Sequence, residues 1–229
     1  VPSNLPYYGL LLFLFQEYVR PDQSIPVLAM LKVGTVLPIM LLMYSILASR
    51  TVSNYEVLRS PNSKWLALFL TLVAVSILTS DVTFYAYTKF KAVLGYMIMY
   101  FIIAKEINTV GRMKGVFATL SLLHIVVIIL SPEILLQPES RPYLSHGGIM
   151  GDGNDFALSV SIVLPLCFFL YLSVESKIGR VLFLVTNILL VLGIIGTSSR
   201  GGSLAMFAGT LYLWSKSRKK IMGVVVILI

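Results

Sequence analysis

The chain has 229 residues, 57% of them hydrophobic and 12% charged, with a mean hydropathy of +0.89. Soluble domains carry about 25% charged residues, so the composition excludes an ordinary soluble domain and points to membrane-crossing helices, each needing about 20 mostly apolar residues. The net charge of +8 raises the question of a nucleic-acid partner, which the placement of that charge answers.

In chain order, apolar runs occupy about 5–19, 25–48, 65–80, 92–104, 115–131, 156–174, 181–197, 203–214 and 221–229. They lack the period-2 alternation of lipid-facing barrel strands. In lipid every backbone amide must find a partner, and a helix provides one within a single segment. The expected fold is therefore all-α: a polytopic transmembrane helical bundle of about eight complete spans plus a truncated ninth, forming a single transmembrane domain over residues 1–229. The first residue is valine, and the closing run "IMGVVVILI" is too short to span. Both ends therefore read as internal to a longer polytopic chain.

Alternate connections differ in charge. Those after runs two, four, six and eight hold Arg50, Arg59, Lys64, Lys105, Arg112, Lys114, Lys177, Arg180, Lys216, Arg218, Lys219 and Lys220, which is 12 of the 18 basic residues. The other connections hold Arg20, Lys89, Lys91, Arg141 and Arg200, and Lys32 lies within run two. Short cytoplasmic loops are enriched in Lys and Arg. The first set is therefore expected to be cytoplasmic and the second to face outward. The acidic residues are biased the other way, with seven on the outward side (Glu17, Asp22, Asp81, Glu133, Glu139, Asp152, Asp155) against three inside. The positive charge is thus an orientation signal. The "KSRKK" run at 216–220 is a topology anchor that also meets anionic lipid, and no nucleic-acid partner is indicated.

Cys167 is the sole cysteine and reads as a small buried hydrophobe. His124, inside "SLLHIVVIIL", and His146, in an outer loop, are 22 residues apart with no cysteine partner, so no metal site is expected. His124 reads as a packing residue. The chain contains no P-loop, HExxH or GxSxG motif, and no internal repeat of the kind many secondary transporters carry.

The longest outer connection, about 132–155, is rich in Gly, Pro and polar residues: "PEILLQPESRPYLSHGGIMGDGNDF". Asp152 or Asn154 can cap the helix that follows, and Asp155 suits the positive end of its dipole. Arg141, His146, Asn154 and Asp155 are accessory candidates for an outward-facing site. The stretch "GIIGTSSRGGSLAMFAG" at 193–209 then sets Arg200 among residues no bulkier than serine or threonine. From Arg200 to Ser215 a helix rises about 22 Å at about 1.5 Å per residue, short of a hydrocarbon core of about 30 Å. An ionised residue at that depth is costly and marks function. A helix N-terminus with free amides, hydroxyls and a guanidinium is suited to phosphate. The candidate diphosphate-binding residues are Ser199, Arg200, Gly201, Gly202 and Ser203. The alternative is an interfacial arginine paired with lipid headgroups.

"TSSRGGSLA" at 197–205, preceded by "GDGNDFA" at 151–157 and one intervening span, resembles the core of the O-antigen ligase and polymerase superfamily. The likeness is strongest over about 145–215. "EYVRPDQSIP" at 17–26 is similar to members linked to exopolysaccharide synthesis or protein O-glycosylation. The resemblance implies a bacterial inner-membrane glycosyltransferase. Such an enzyme takes a glycan from an undecaprenyl diphosphate carrier on the periplasmic side and passes it to an acceptor hydroxyl on lipid A core, protein or polysaccharide. No metal or other cofactor is implied. Arg200 matches the arginine of the family's small-residue motif, which is thought to hold the carrier diphosphate. The family's large periplasmic loop, with its proposed histidine base, follows later spans, so the base is expected beyond residue 229 and residues 1–229 alone are expected to be inactive. A secondary transporter or flippase for an anionic or lipid-linked substrate is the alternative, and a structural subunit without chemistry is a third.

Overall fold

The computed structural model describes residues 4–47, 52–136 and 151–216. Among these, every regular element is an α-helix: α1 (Leu5–Val19), α2 (Pro21–Ser24), α3 (Pro26–Met30), α4 (Val33–Leu47), α5 (Asn54–Arg59), α6 (Pro61–Thr79), α7 (Thr83–Glu106), α8 (Val110–Leu130), α9 (Glu133–Leu136), α10 (Gly153–Ser173), α11 (Lys177–Gly196) and α12 (Arg200–Lys216).

Five of them, α6, α7, α8, α10 and α11, are long and apolar enough to cross a membrane, so the chain is a multi-pass membrane protein by length and composition. They correspond to runs three to seven. The expected count of about eight spans is not reached among the described residues. Run one is the 15-residue α1. Run two is broken where Lys32 adopts a left-handed φ of 47°, leaving the five-residue α3 and the 15-residue α4. Run eight is the 17-residue α12. Run nine lies outside the described residues. Two connections also shrink. Lys89 and Lys91, expected between spans, belong to α7, and Arg112 and Lys114 belong to α8.

The chain divides into two compact units, residues 1–13 with 25–113 and residues 14–24 with 114–229. In the first, α6 and α7 form an antiparallel pair. Ser60 caps α6 by accepting from the Ser63 amide, with Pro61 at the first helical position, and its hydroxyl lies 2.9 Å from that of Tyr100 near the far end of α7. Proline is favoured there because the amide it lacks would have no intrahelical acceptor. Ser53 and Glu56 make a reciprocal capping box at the start of α5, a pattern legible as Ser-x-x-Glu.

Lys105 and Glu106, expected in a solvated loop, instead close α7 and are 2% and 0% exposed. Lys105 Nζ donates to the Ser45 carbonyl and, at 2.6 Å, to Asn54 Oδ1. Glu106 pairs with Arg112 at 3.3 Å, and Arg112 also donates to Asn4 Oδ1 at 2.9 Å. These bonds join the ends of α1, α4, α5, α7 and α8 within the first unit. A buried charge is tolerated only when it is paired and hydrogen-bonded.

In the second unit, α8 runs antiparallel to α10, with Phe117 against Phe169 at one end and His124 against Phe156 nearer the other. Helix α11 returns antiparallel to α10, where Asn187 Nδ2 donates to Cys167 Sγ at 3.3 Å and Gly193 faces the Phe156 ring. The core comprises Val127, Ile128, Ile134, Phe156, Val160, Val163, Cys167, Leu170, Phe183, Leu190 and Ile194. Cys167 is thus a buried core residue, as read from sequence. Helix α12 packs along α10 in parallel, because its third residue, Gly202, meets Ala157 near the start of α10. The amino ends of α10 and α12 therefore lie side by side, at the same end of the unit as the carboxyl ends of α8 and α11.

Candidate functional site

The corner between α11 and α12 is built by its hydroxyls. Thr197 ends α11, with its amide donating to the Gly193 carbonyl at 3.1 Å and its buried Oγ1 to the Ile194 carbonyl at 2.7 Å. Ser198 takes a left-handed φ of 52°, the conformation that commonly terminates helices. Ser199 is then the N-cap of α12: its Oγ accepts from the Gly202 amide at 3.1 Å and its carbonyl from the Ser203 amide at 2.9 Å. The corner is tight on its inner side. A side chain at Gly196 would fall on the Ile134 carbonyl, and one at Gly202 on the Ala157 methyl.

This separates the five candidate diphosphate residues into two groups. Ser199 and Gly202 are buried and committed to the turn and to the α10 contact. Arg200, Gly201 and Ser203 are exposed, and space around Gly201 is open to at least 4 Å. Arg200 and Gly201 occupy the first two helical positions, whose amides have no intrahelical acceptor. Among the described residues no side chain pairs with the Arg200 guanidinium. That position is electrostatically adverse for a cation, because a helix N-terminus carries a partial positive charge. The amino end of α10 lies beside it, but its own dipole is already answered by the Asp152 and Asp155 carboxylates.

The amino end of α10 supplies the acidic counterpart. Asp152 is the cap, its carboxylate accepting from the Asn154 and Asp155 amides at 2.7 and 2.9 Å. Of the two cap candidates the structure selects Asp152, while Asn154 and Asp155 are exposed in the first turn. Arg141 and His146, the other accessory candidates, lie outside the described residues.

Two contributors escaped the sequence reading. Ala157 and Ser161 sit four residues apart on the face of α10 that meets α12, and Ser161 Oγ donates to the Gly202 carbonyl at 3.2 Å. Small residues at this spacing let helix backbones approach closely in membranes, and that pattern was the available signal. Among the described residues no group of three His, Cys, Asp or Glu side chains is placed to hold a metal ion. No family model, curated protein or solved structure matches the chain.

Proposed function

We propose that the chain is the diphosphate-holding part of a membrane glycosyltransferase of the O-antigen ligase type. It would transfer a glycan from undecaprenyl diphosphate to an acceptor hydroxyl on the periplasmic side of a bacterial inner membrane. The observation that carries this reading is the exposed Arg200 at the first position of α12, with no side-chain partner among the described residues, a place where helix electrostatics disfavours a cation unless an anion joins it. The resemblance of "TSSRGGSLA" and "GDGNDFA" to that superfamily names the anion.

The open N-terminal amides of α12 and the Arg200 guanidinium form a ready anion site, and arginine offers two parallel donors to phosphate oxygens where lysine offers a point charge. In the reaction the acceptor oxygen bonds to the anomeric carbon while the bond from that carbon to the diphosphate oxygen breaks. The electron pair leaves with the diphosphate, and the hydroxyl proton passes to a base that no residue of 1–229 is assigned to provide. Arg200 and the Gly201 amide stabilise the charge that develops on the leaving diphosphate, the term that usually dominates such catalysis. Asn154 and Asp155, on the neighbouring helix end, are available to the acceptor side. The apolar carrier explains why the site should sit near a membrane boundary: α12, with 17 residues, rises about 25 Å at about 1.5 Å per residue.

The test is transfer of carrier-linked glycan to acceptor in membranes holding the full-length protein. Arg200→Ala should lower the rate about 30- to 1,000-fold, equivalent to about 2–4 kcal/mol of lost stabilisation, at unchanged protein level. Arg200→Lys should restore little. Near-normal transfer by Arg200→Ala would leave the arginine as an interfacial anchor and remove the diphosphate assignment.

A further inference from the structure

His124 is 0% exposed, and both of its ring nitrogens are engaged. Nδ1 lies 2.8 Å from the Leu120 carbonyl, one turn back on α8, and Nε2 lies 2.9 Å from Ser159 Oγ on α10. A carbonyl only accepts, so Nδ1 carries the proton, Nε2 accepts, and the Ser159 hydroxyl donates to it. The Tyr18 ring meets the imidazole edge-on at 5.2 Å. The Phe156 ring closes the other side at 5.9 Å. A serine within a helix ordinarily returns its hydroxyl to its own backbone, whereas Ser159 reaches across to another helix.

We infer that His124 is a positioning residue for the paired helix ends, fixing the rotation and height of α10 through Ser159 and Phe156. Helical spacing carries the effect to the site. Asp152, Asp155, Phe156 and Ser159 follow one another at intervals of three, one and three residues, so they share one face of α10. A rotation at Ser159 therefore moves Asp152 and Asp155 with it. The adjacent face holds Ala157 and Ser161, which seat Gly202 and with it Arg200. His124 touches neither Arg200 nor the exposed surface and so acts only through α10. The inference rests on the glycosyl-transfer reading for its activity readout alone; its geometric readout is independent of that reading.

The experiment uses the full chain in a Cys167→Ser background, with spin labels at Asn154→Cys and Gly201→Cys and distances measured by pulsed electron resonance. The parent should give one narrow distance distribution. His124→Ala and Ser159→Ala should broaden or shift it, and Ser159→Thr, which keeps the hydroxyl, should restore it. Without the labels, the two alanine variants should lose about ten- to a hundredfold in transfer at unchanged abundance, the scale expected when reacting groups are displaced by about 1 Å. Should His124→Ala fail to accumulate, Ser159→Ala decides. An unchanged distribution in Ser159→Ala or His124→Ala would overturn the positioning role. Normal transfer by Arg200→Ala would instead overturn the glycosyl-transfer reading and leave the distance result to stand.

Discussion

Arg200, Gly201 and Gly202 are consecutive, yet each does something different because one helical turn points them in three directions. Arg200 and Gly201 face open space, while Gly202 faces Ala157. Substitution should separate these roles. Gly202→Val places methyl groups on Ala157 and should destabilise the fold by about 1–3 kcal/mol, the usual range for overpacking. Gly201→Ala meets nothing and should be neutral or stabilising by up to about 1 kcal/mol, because alanine favours the helix. Thermal unfolding of the detergent-solubilised protein checks both. Equal loss at the two positions would mean that α12 does not pack on α10 through Gly202. Ser199 and Arg200 divide in the same way, since the serine caps the helix and the arginine is exposed with no side-chain partner among the described residues.

At the scale of elements, legibility followed apolar length. Runs three to seven appear as α6, α7, α8, α10 and α11, helices of 19 to 24 residues that extend beyond the apolar runs that revealed them. Run two misled because one lysine does not interrupt a hydropathy pattern, while the left-handed backbone at Lys32 breaks the run into α3 and α4. Hydropathy could not reveal the burial of Lys105 and Glu106 either, since it scores a charge as loop whatever its partners. Those partners, Ser45, Asn54 and Arg112, include residues far away in the chain. The same holds for His124 and Ser159, which are separated by 35 residues. The helix–corner–helix at Arg200 was legible because its signals are local: a run of hydroxyl residues, two glycines and a short following helix. The details that needed three dimensions were which hydroxyl caps which amide, and which glycine faces the neighbouring helix.

At the scale of the molecule, the described basic residues of the expected inner connections lie at one end of each unit, while Lys32, Lys89 and Lys91 lie away from that end in the first unit. In the first unit Arg59 and Lys64 lie on α5 and α6 near the end of α7 that carries Lys105. In the second, Lys114 lies over the Phe169 ring near the end of α10, and Arg180 donates to the Val174 carbonyl there. Arg200 is at the opposite end of that second unit. With short inner loops enriched in Lys and Arg, we expect residue 56 to be cytoplasmic and residue 201 to face outward. Single cysteines at these positions, in a Cys167→Ser background, should respectively resist and accept an impermeant maleimide in sealed cells. Labelling of position 56 from outside would reverse the orientation and remove the periplasmic site.

The central claim is that the free guanidinium of Arg200 holds a diphosphate, and direct binding tests it without requiring the catalytic base. The full chain, purified in detergent or nanodiscs, would be titrated with a short-chain polyprenyl diphosphate and, separately, with the matching monophosphate. We expect saturable binding of the diphosphate, weaker binding of the monophosphate, and at least about a 30-fold loss of diphosphate affinity in Arg200→Ala, corresponding to about 2 kcal/mol. Equal affinity for the diphosphate in the parent and in Arg200→Ala would contradict the account.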